Sequence, residues 1–193
     1  MFKKRNTAAV RTERLTLIPL AARHAKEMLK LWRDPDIVRY MNLEAPAWRG
    51  ECRVRIKRLL QANVGGGCPN HFVLALGQEV IGLAGFPLDK KEGPSFGLYY
   101  LLSKKYWGCG YALEASGAVL SYLFEHYPKA VVHADSVADN RASVAILKKL
   151  GFQQTKKDEG AFTKNGDKQD ILHFTLQANA DSPANHSGII LDK

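Results

Sequence analysis

From Leu101 to Ala112 the chain reads Leu-Leu-Ser-Lys-Lys-Tyr-Trp-Gly-Cys-Gly-Tyr-Ala, an apolar run that enters a glycine-punctuated turn just before a helix-forming segment. A turn of this kind leaves several backbone N–H groups converging at a helix N-terminus. Unpaired donors and the helix dipole then both favour negative charge, and glycine at 108 and 110 lets a ligand approach the backbone. The ligand implied is a phosphate or pyrophosphate. The same G-x-G also has an ordinary reading, as a turn that needs glycine only for positive φ, and the spacing alone does not choose between them. Two named nucleotide motifs are excluded. No G-x-x-x-x-G-K-[ST] occurs, and the third residue after Gly110 is Leu113, so G-x-G-x-x-G fails as well.

A second group follows in Asp139-Asn140-Arg141-Ala142-Ser143 and Lys148-Lys149-Leu150-Gly151-Phe152. Asn140 suits a helix N-cap and Gly151 the left-handed position that ends the same helix, with Phe152 closing back on its last turn. Ser143, in the first turn, suits either a ligand or its own helix backbone. The titratable residues placed for proton transfer are His71, His133, Asp135 and Glu159, each of which also has a plain structural reading. The three cysteines, Cys52, Cys68 and Cys109, form no C-x-x-C pair, which argues against a disulfide framework and a structural zinc site.

These groups must be carried by a scaffold, and the periodicities supply one. Arg14 to Pro19 reads as a strand. Ala21, Ala25, Met28, Leu29 and Trp32 fall at helical spacing, stopped by Asp34-Pro35. A second helix, about Trp48 to Ala62, should bury Cys52, Ile56, Leu59 and Leu60. His71–Leu76 and Val80–Phe86 form a hairpin about Gly77-Gln78-Glu79, and Phe96 to Leu102 reads as one central strand buried on both faces. A helix from Tyr111 to His126 and a strand from Ala130 to Ser136 complete a right-handed parallel crossover. A capped helix, Asn140 to Leu150, leads to a last hairpin, Gln153–Glu159 with Gln169–Leu176, turned near Asn165-Gly166. The order β α α β β β α β α β β describes a mixed sheet with helices packed on it.

The chain has 193 residues, 46% hydrophobic and 24% charged, which fits one ordinary folded domain and excludes disordered and collagen-like classes. Its apolar runs are too short for a membrane-spanning helix, and no signal-peptide core follows the basic start, so a cytoplasmic location is expected. The formal charge of +9 is concentrated. Residues 1 to 14 and 49 to 58 each hold five basic residues against one acidic, while the remainder is nearly neutral. Nucleic acid, a ribosome or membrane surface, an anionic small molecule and a plain solvated face all fit such segments.

Lys105-Tyr106-Trp107-Gly108-Cys109-Gly110-Tyr111-Ala112 resembles the pyrophosphate loop of the GNAT acetyltransferases, [RQ]-x-x-G-x-[GA]. The segments 139–143 and 148–152 resemble that family's N-x-x-S helix ending in L-G-F. Arg11-Thr12-Glu13-Arg14-Leu15 and Asp34 to Met41 are similar to the opening strand and substrate-side helix of its RimJ/RimL-like branch, which acetylates protein N-termini. The resemblance covers about residues 11 to 176. It implies a GNAT-like α+β fold: a central, mostly antiparallel sheet, one parallel strand pair splayed at the cofactor site, and helices on both faces. The implied division is a basic extension at 1–10, the acetyltransferase domain at 11–176 and a flexible tail at 177–193.

The resemblance also implies roles. Acetyl-CoA is the cosubstrate, with no metal. Main-chain groups at Leu101 and Leu102 would pair with pantetheine, and one N–H there would polarise the thioester carbonyl. The amides of Lys105, Tyr106, Trp107, Gly108, Cys109, Gly110, Tyr111 and Ala112 would hold the pyrophosphate, Asn140 would contact pantetheine, and Ser143 would protonate the leaving thiolate. Cys109 is read as packing, because direct transfer needs no covalent intermediate. Three positions depart from the family. Lys105 stands where Arg or Gln is usual, Gly97 where many relatives carry a Glu, and Leu147 where other branches carry a Tyr. No general base is therefore assigned. The expected activity is acetyl transfer to a primary amine, on a protein N-terminus (ribosomal or other) or a small molecule, by a monomer or homodimer. A non-catalytic acyl-CoA-binding regulator and a ribosome- or RNA-binding module are the alternatives.

Overall fold

The run from Phe96 to Leu102 is not one strand but two, and their separation organises the molecule. The computed structural model describes residues 9–61, 68–89, 94–177 and 190–191. Among them β1 (Val10–Arg11), β2 (Thr16–Pro19), α1 (Ala25–Arg33) and α2 (Arg49–Gln61) lead into β3 (His71–Leu76) and β4 (Glu79–Gly85). Then come β5 (Leu88–Asp89), β6 (Ser95–Gly97), β7 (Tyr99–Leu102), α3 (Tyr111–His126), β8 (Val131–Val137) and α4 (Arg141–Lys149). The hairpin β9 (Gln153–Lys164) and β10 (Asp167–Gln177) follows, with β11 at Ile190–Leu191.

Two sheets result, in the orders β11-β1-β2-β3-β4-β7 and β5-β6-β8-β10-β9. β6 runs parallel to β8, with Gly97 opposite His133, and the Leu98 N–H still donates to the His133 carbonyl at 2.8 Å. One residue later the chain changes partner. β7 pairs antiparallel with β4, from Gly85 opposite Tyr99 to Gly82 opposite Leu102. The expected parallel pair is thus present and splays at Leu98, with Tyr99 and Tyr100 half-buried and Leu101 and Leu102 buried along β7.

Alternation along β3 sends side chains into two cores. Phe72 and Leu74 join Ala115, Val119 and Leu123 of α3, while Val73 joins Met28 and Trp32 of α1 and Cys52 and Ile56 of α2. Helices therefore cover both faces of the first sheet, as expected. Leu60 does not join the second core and is 37% exposed. Cys52, Ile56 and Leu59 share one helical stripe, and position 60 turns past its edge.

Local chemistry accounts for the remaining ends. Asn140 caps α4 by accepting from the Ser143 N–H, at 3.3 Å. At its other end Gly151 has φ +88°, with Phe152 N–H donating to the Leu147 carbonyl and Gly151 N–H to the Lys148 carbonyl, both at 3.1 Å. The last hairpin is longer than expected. Asn165 and Gly166 both have positive φ and turn it, and a register shift beside Gly160 lets pairing resume toward the tip. Ile190–Leu191 pairs with Val10–Arg11 at the far edge, a pairing the expectation of a tail did not contain. Most of residues 177–193, like residues 1–8, lie outside the described residues.

β4 and β7 approach closely at Gly82, where a Cβ would stand 2.4 Å from the Leu101 carbonyl oxygen and 2.6 Å from a Leu102 methyl. Gly82→Ala is expected to cost about 2 kcal/mol, as overpacking does. The midpoint of urea unfolding should fall accordingly.

Candidate active site

β7 ends at Leu102, and a single 3-10 turn, Lys104–Tyr106, carries the chain into the glycine loop. That turn consumes two of the expected donors: Tyr106 N–H bonds the Ser103 carbonyl at 2.9 Å and Trp107 N–H the Lys104 carbonyl at 3.1 Å. Gly108 and Gly110 follow with φ of +75° and +83°, and Gly110 is the N-cap of α3. The first helical bond is Glu114 N–H to the Gly110 carbonyl, at 3.1 Å. The amides of Gly108, Cys109, Gly110, Tyr111 and Ala112 precede it and make no backbone hydrogen bond among the described residues. A Cβ at Gly108 would meet no atom within 4 Å. Both glycines need their positive φ, and the amides that follow Trp107 are not used by the turn itself.

The cations beside the loop are engaged elsewhere. Lys105 Nζ lies 2.6 Å from Glu79, which also accepts from the Tyr106 hydroxyl at 2.6 Å, and these bonds hold the Glu79 carboxyl below its usual range. Lys104 pairs with Asp36 at 2.5 Å. The Trp107 ring is 47% exposed and its indole N–H donates to the Leu102 carbonyl at 2.9 Å.

Alternation along β7 decides which main-chain groups face the splay. Ser103 N–H donates to the Ile81 carbonyl of the β4 strand's own residue at 2.8 Å, so the groups of Leu101 also face β4. Those of Tyr100 and Leu102 point to the opposite edge, where no strand pairs with β7 among the described residues. The main-chain groups of Leu102 thus face away from β4, whereas those of Leu101 face it and its side chain joins the α1–α2 core.

Across the gap stands the first turn of α4. The Tyr100 hydroxyl lies 3.0 Å from Ser143 Oγ and 3.3 Å from the Ser143 carbonyl, and burial pushes its pKa up to about 12. Tyr100 was not among the residues expected from the sequence, since nothing in residue type links positions 43 apart. Leu147 is packed in the core. Gly97, the position at which the resemblance implied a Glu in many relatives, lies against Pro87 and offers no side chain.

The four titratable residues separate. His71 is buried on the α1–α2 side with Nδ1 2.7 Å from the Tyr99 hydroxyl, while Nε2 makes no hydrogen bond of good geometry. Burial pulls its pKa down to about 4, opposed weakly by the Leu59 backbone, and pushes the Tyr99 hydroxyl above the ordinary tyrosine range. His133 and Asp135 share the face of β8 turned away from the buried Val132 and Ala134. His133 Nδ1 lies 3.1 Å from Thr175 Oγ1. Opposite Asp135 in register is His173, unmarked in the sequence, whose nitrogens lie 2.7 Å from Asp135 and 3.0 Å from Asp158. The pairing of β10 with both β8 and β9 brings this group together. Glu159 is far more exposed and pairs at 3.5 Å with Lys157.

The segment between α1 and α2 crosses this open face and is tied down at several points. Lys164 Nζ, near the β9–β10 tip, donates to the Met41 carbonyl at 3.0 Å and to that of Val38. Tyr40 donates to the Asp139 carbonyl at 3.4 Å. These contacts hold residues 38–41 against the last hairpin and against the residue before the Asn140 cap. Among the described residues no cluster of three or more His, Cys, Asp or Glu could hold a metal, and no helix is long and apolar enough to cross a membrane.

Residues 14–153 match the acetyltransferase (GNAT) domain, and the chain belongs to that family. It is an acetyl-CoA-dependent acyltransferase. Among related proteins, it is 29% identical over 145 residues to an uncharacterized N-acetyltransferase, p20, of Bacillus licheniformis, covering 74% of this chain and 81% of that one. It is 27% identical over 150 residues to the FsC-acetyl coenzyme A-N(2)-transacetylase of Aspergillus fumigatus, covering 73% of this chain and 63% of that one. Of solved structures, RimJ of Mycobacterium smegmatis in complex with CoA-disulfide superposes with a TM-score of 0.78 at 18% identity, covering 94% of this chain and 93% of that one. The spermidine N-acetyltransferase of Vibrio cholerae in complex with CoA and spermine gives 0.75 at 19%, covering 86% and 96%.

Proposed function

We propose that this protein transfers the acetyl group of acetyl-CoA to a primary amine by direct attack, in the manner of the RimJ/RimL-like branch. The observation that carries the reading is the combination of an open amide nest at the start of α3 with an unpaired edge on β7, separated from β8 by the splay at Leu98. Five amides, Gly108 to Ala112, suit a pyrophosphate, and the Leu102 edge suits the amides of pantetheine, which would lie beside β7 as an extra strand. The Tyr100 and Leu102 N–H groups are the ones turned toward the gap, where a donor would stabilise the oxyanion formed when the amine attacks.

In this reading the nitrogen–carbon bond forms as the carbon–sulfur bond breaks, the thiolate gains a proton and the amine loses one. Ser143 Oγ supplies the first proton, with the Tyr100 hydroxyl holding its orientation. The amine's proton leaves through the polar face of β8 and β10. Asn140 commits Oδ1 to its own helix, leaving its NH2 for pantetheine. Ser143→Ala is expected to lower kcat about 100-fold at saturating acetyl-CoA, the low end for a lost general acid because water can replace a hydroxyl. Stopped-flow thiol release measures it.

The open face fenced by residues 34–46 is the acceptor side, and a peptide N-terminus or a small amine fits its exposure. Thiol release with a panel of amines and N-terminal peptides tests the function. A protein that binds CoA in calorimetry but releases no thiol with any of them would be the acyl-CoA-binding regulator, the reading that Gly97 favours. A protein with no CoA affinity sinks both.

A further inference from the structure

Arg14 lies outside both cofactor motifs, yet its side chain reaches the glycine loop. Nε and Nη2 each stand 2.6 Å from Glu114 Oε2, in the first turn of α3, and Nη1 donates to the Cys109 carbonyl at 3.0 Å. The guanidinium stacks 4.4 Å from the centre of the Tyr111 ring. Glu114 is itself fixed by the Thr12 hydroxyl at 2.5 Å and the Arg14 N–H at 2.9 Å. Burial opposes its ionisation, but these bonds prevail and hold its carboxyl below the usual range. The positive charge of Arg14 is therefore spent on Glu114, and what the fork adds to the loop is geometry.

That geometry acts on one peptide. The 109–110 bond is trans, so the Cys109 carbonyl and the Gly110 N–H point in opposite directions. With the carbonyl drawn to Arg14, the Gly110 N–H must face away from it. Glycine at 110 has little hindrance to rotation of that peptide. A flip would remove one donor from the nest and turn a carbonyl oxygen into it, two changes that both repel an anion. We infer that Arg14 is a positioning residue for cofactor binding, locking the Cys109–Gly110 peptide so that its N–H faces the phosphate site. The inference rests on the reading of the loop as a phosphate nest.

Calorimetry with CoA and with pantetheine, which lacks the phosphates, tests it. Wild type should bind CoA far more tightly than pantetheine. Arg14→Ala is expected to reduce that preference about tenfold and to shift the Gly110 amide resonance in the free protein. Arg14→Lys keeps the charge without the fork and should behave like Arg14→Ala. Glu114→Gln, which loosens the anchor while keeping its shape, should lower the preference less. If Arg14→Ala weakens both ligands equally, or if Arg14→Lys restores wild-type binding, the inference is overturned. Should Arg14→Ala not fold, an unchanged preference in Glu114→Gln overturns it instead. A wild type that binds CoA no better than pantetheine defeats the nest reading itself, an outcome distinct from either.

Discussion

Gly108→Glu is expected to lose CoA affinity by at least about 100-fold while the fold survives. Two separate effects add. Gly108 has φ +75°, and a side chain there costs on the order of 1 kcal/mol in left-handed strain. This is small beside the usual stability of a domain. The larger effect is on the ligand. A Cβ at 108 meets no protein atom within 4 Å, so a side chain has room there, at the first of the amides that run from Gly108 to Ala112. Its carboxylate would accept from those donors and compete with phosphate as an internal anion. Gly108→Ala separates the effects, since it carries the strain and little of the bulk. Calorimetry should rank wild type, Ala and Glu in falling affinity, with similar melting temperatures for the two variants. Equal affinity in all three would mean that phosphate binds elsewhere.

Acid should unfold the protein through His71. The imidazole titrates near 4 in the folded state against 6.5 ordinarily, because burial penalises the charged ring. The folded-state value is the lower one, so between these values the unfolded chain binds a proton that the folded chain refuses. Stability is full above pH 6.5, falls as pH drops and levels off below about 4. A gap of this size amounts to about 3 kcal/mol, most of it lost by pH 4.5. His71→Gln keeps a polar group beside the Tyr99 hydroxyl but cannot titrate. Urea unfolding at pH 7.5 and 4.5 should show the wild type losing about 2 to 3 kcal/mol more than the variant across that range. Parallel losses would place the acid sensitivity in the paired carboxylates, such as Asp158 and Asp170, whose stabilisation is also lost on protonation. A proton acceptor with so low a pKa is also a poor base at neutral pH. Of the titratable groups named from the sequence, that leaves His133 and Asp135 on the open face.

What could be read from residue order was whatever local chemistry dictates. Gly110 before Tyr-Ala-Leu-Glu opens a helix, Leu-Gly-Phe closes one, and Asn-Gly turns a hairpin, so α3, α4 and the last hairpin tip lie where expected. The parallel pair followed from strand, helix and strand with a crossover of that length. The break at Leu98 did not. Leu98 is as apolar as its neighbours, and a change of hydrogen-bonding partner leaves no mark on residue type. Alternation gave both Leu101 and Leu102 an apolar character without saying which of them turns its backbone to β4. His173 with Asp135 is likewise a product of register, and Tyr100 with Ser143 a product of how α4 packs beside β7. Lys105 was placed by its motif beside phosphate, but side-chain reach brought it to Glu79.

The contacts that build the groove also impose an order in time. Arg14 meets α3 across 100 positions, Tyr40 meets Asp139 across 99, and Lys164 meets Met41 across 123. Closing such loops costs entropy before any contact repays it, so folding is slow where contacts are distant in sequence. A chain emerging from the ribosome can form the β3–β4 hairpin early, but the fence of the open face cannot close until the tip of the last hairpin has been made. Cofactor present during synthesis would thus meet the nest before the acceptor side exists, and ligand binding would favour the forms in which β7 and α4 have already come together.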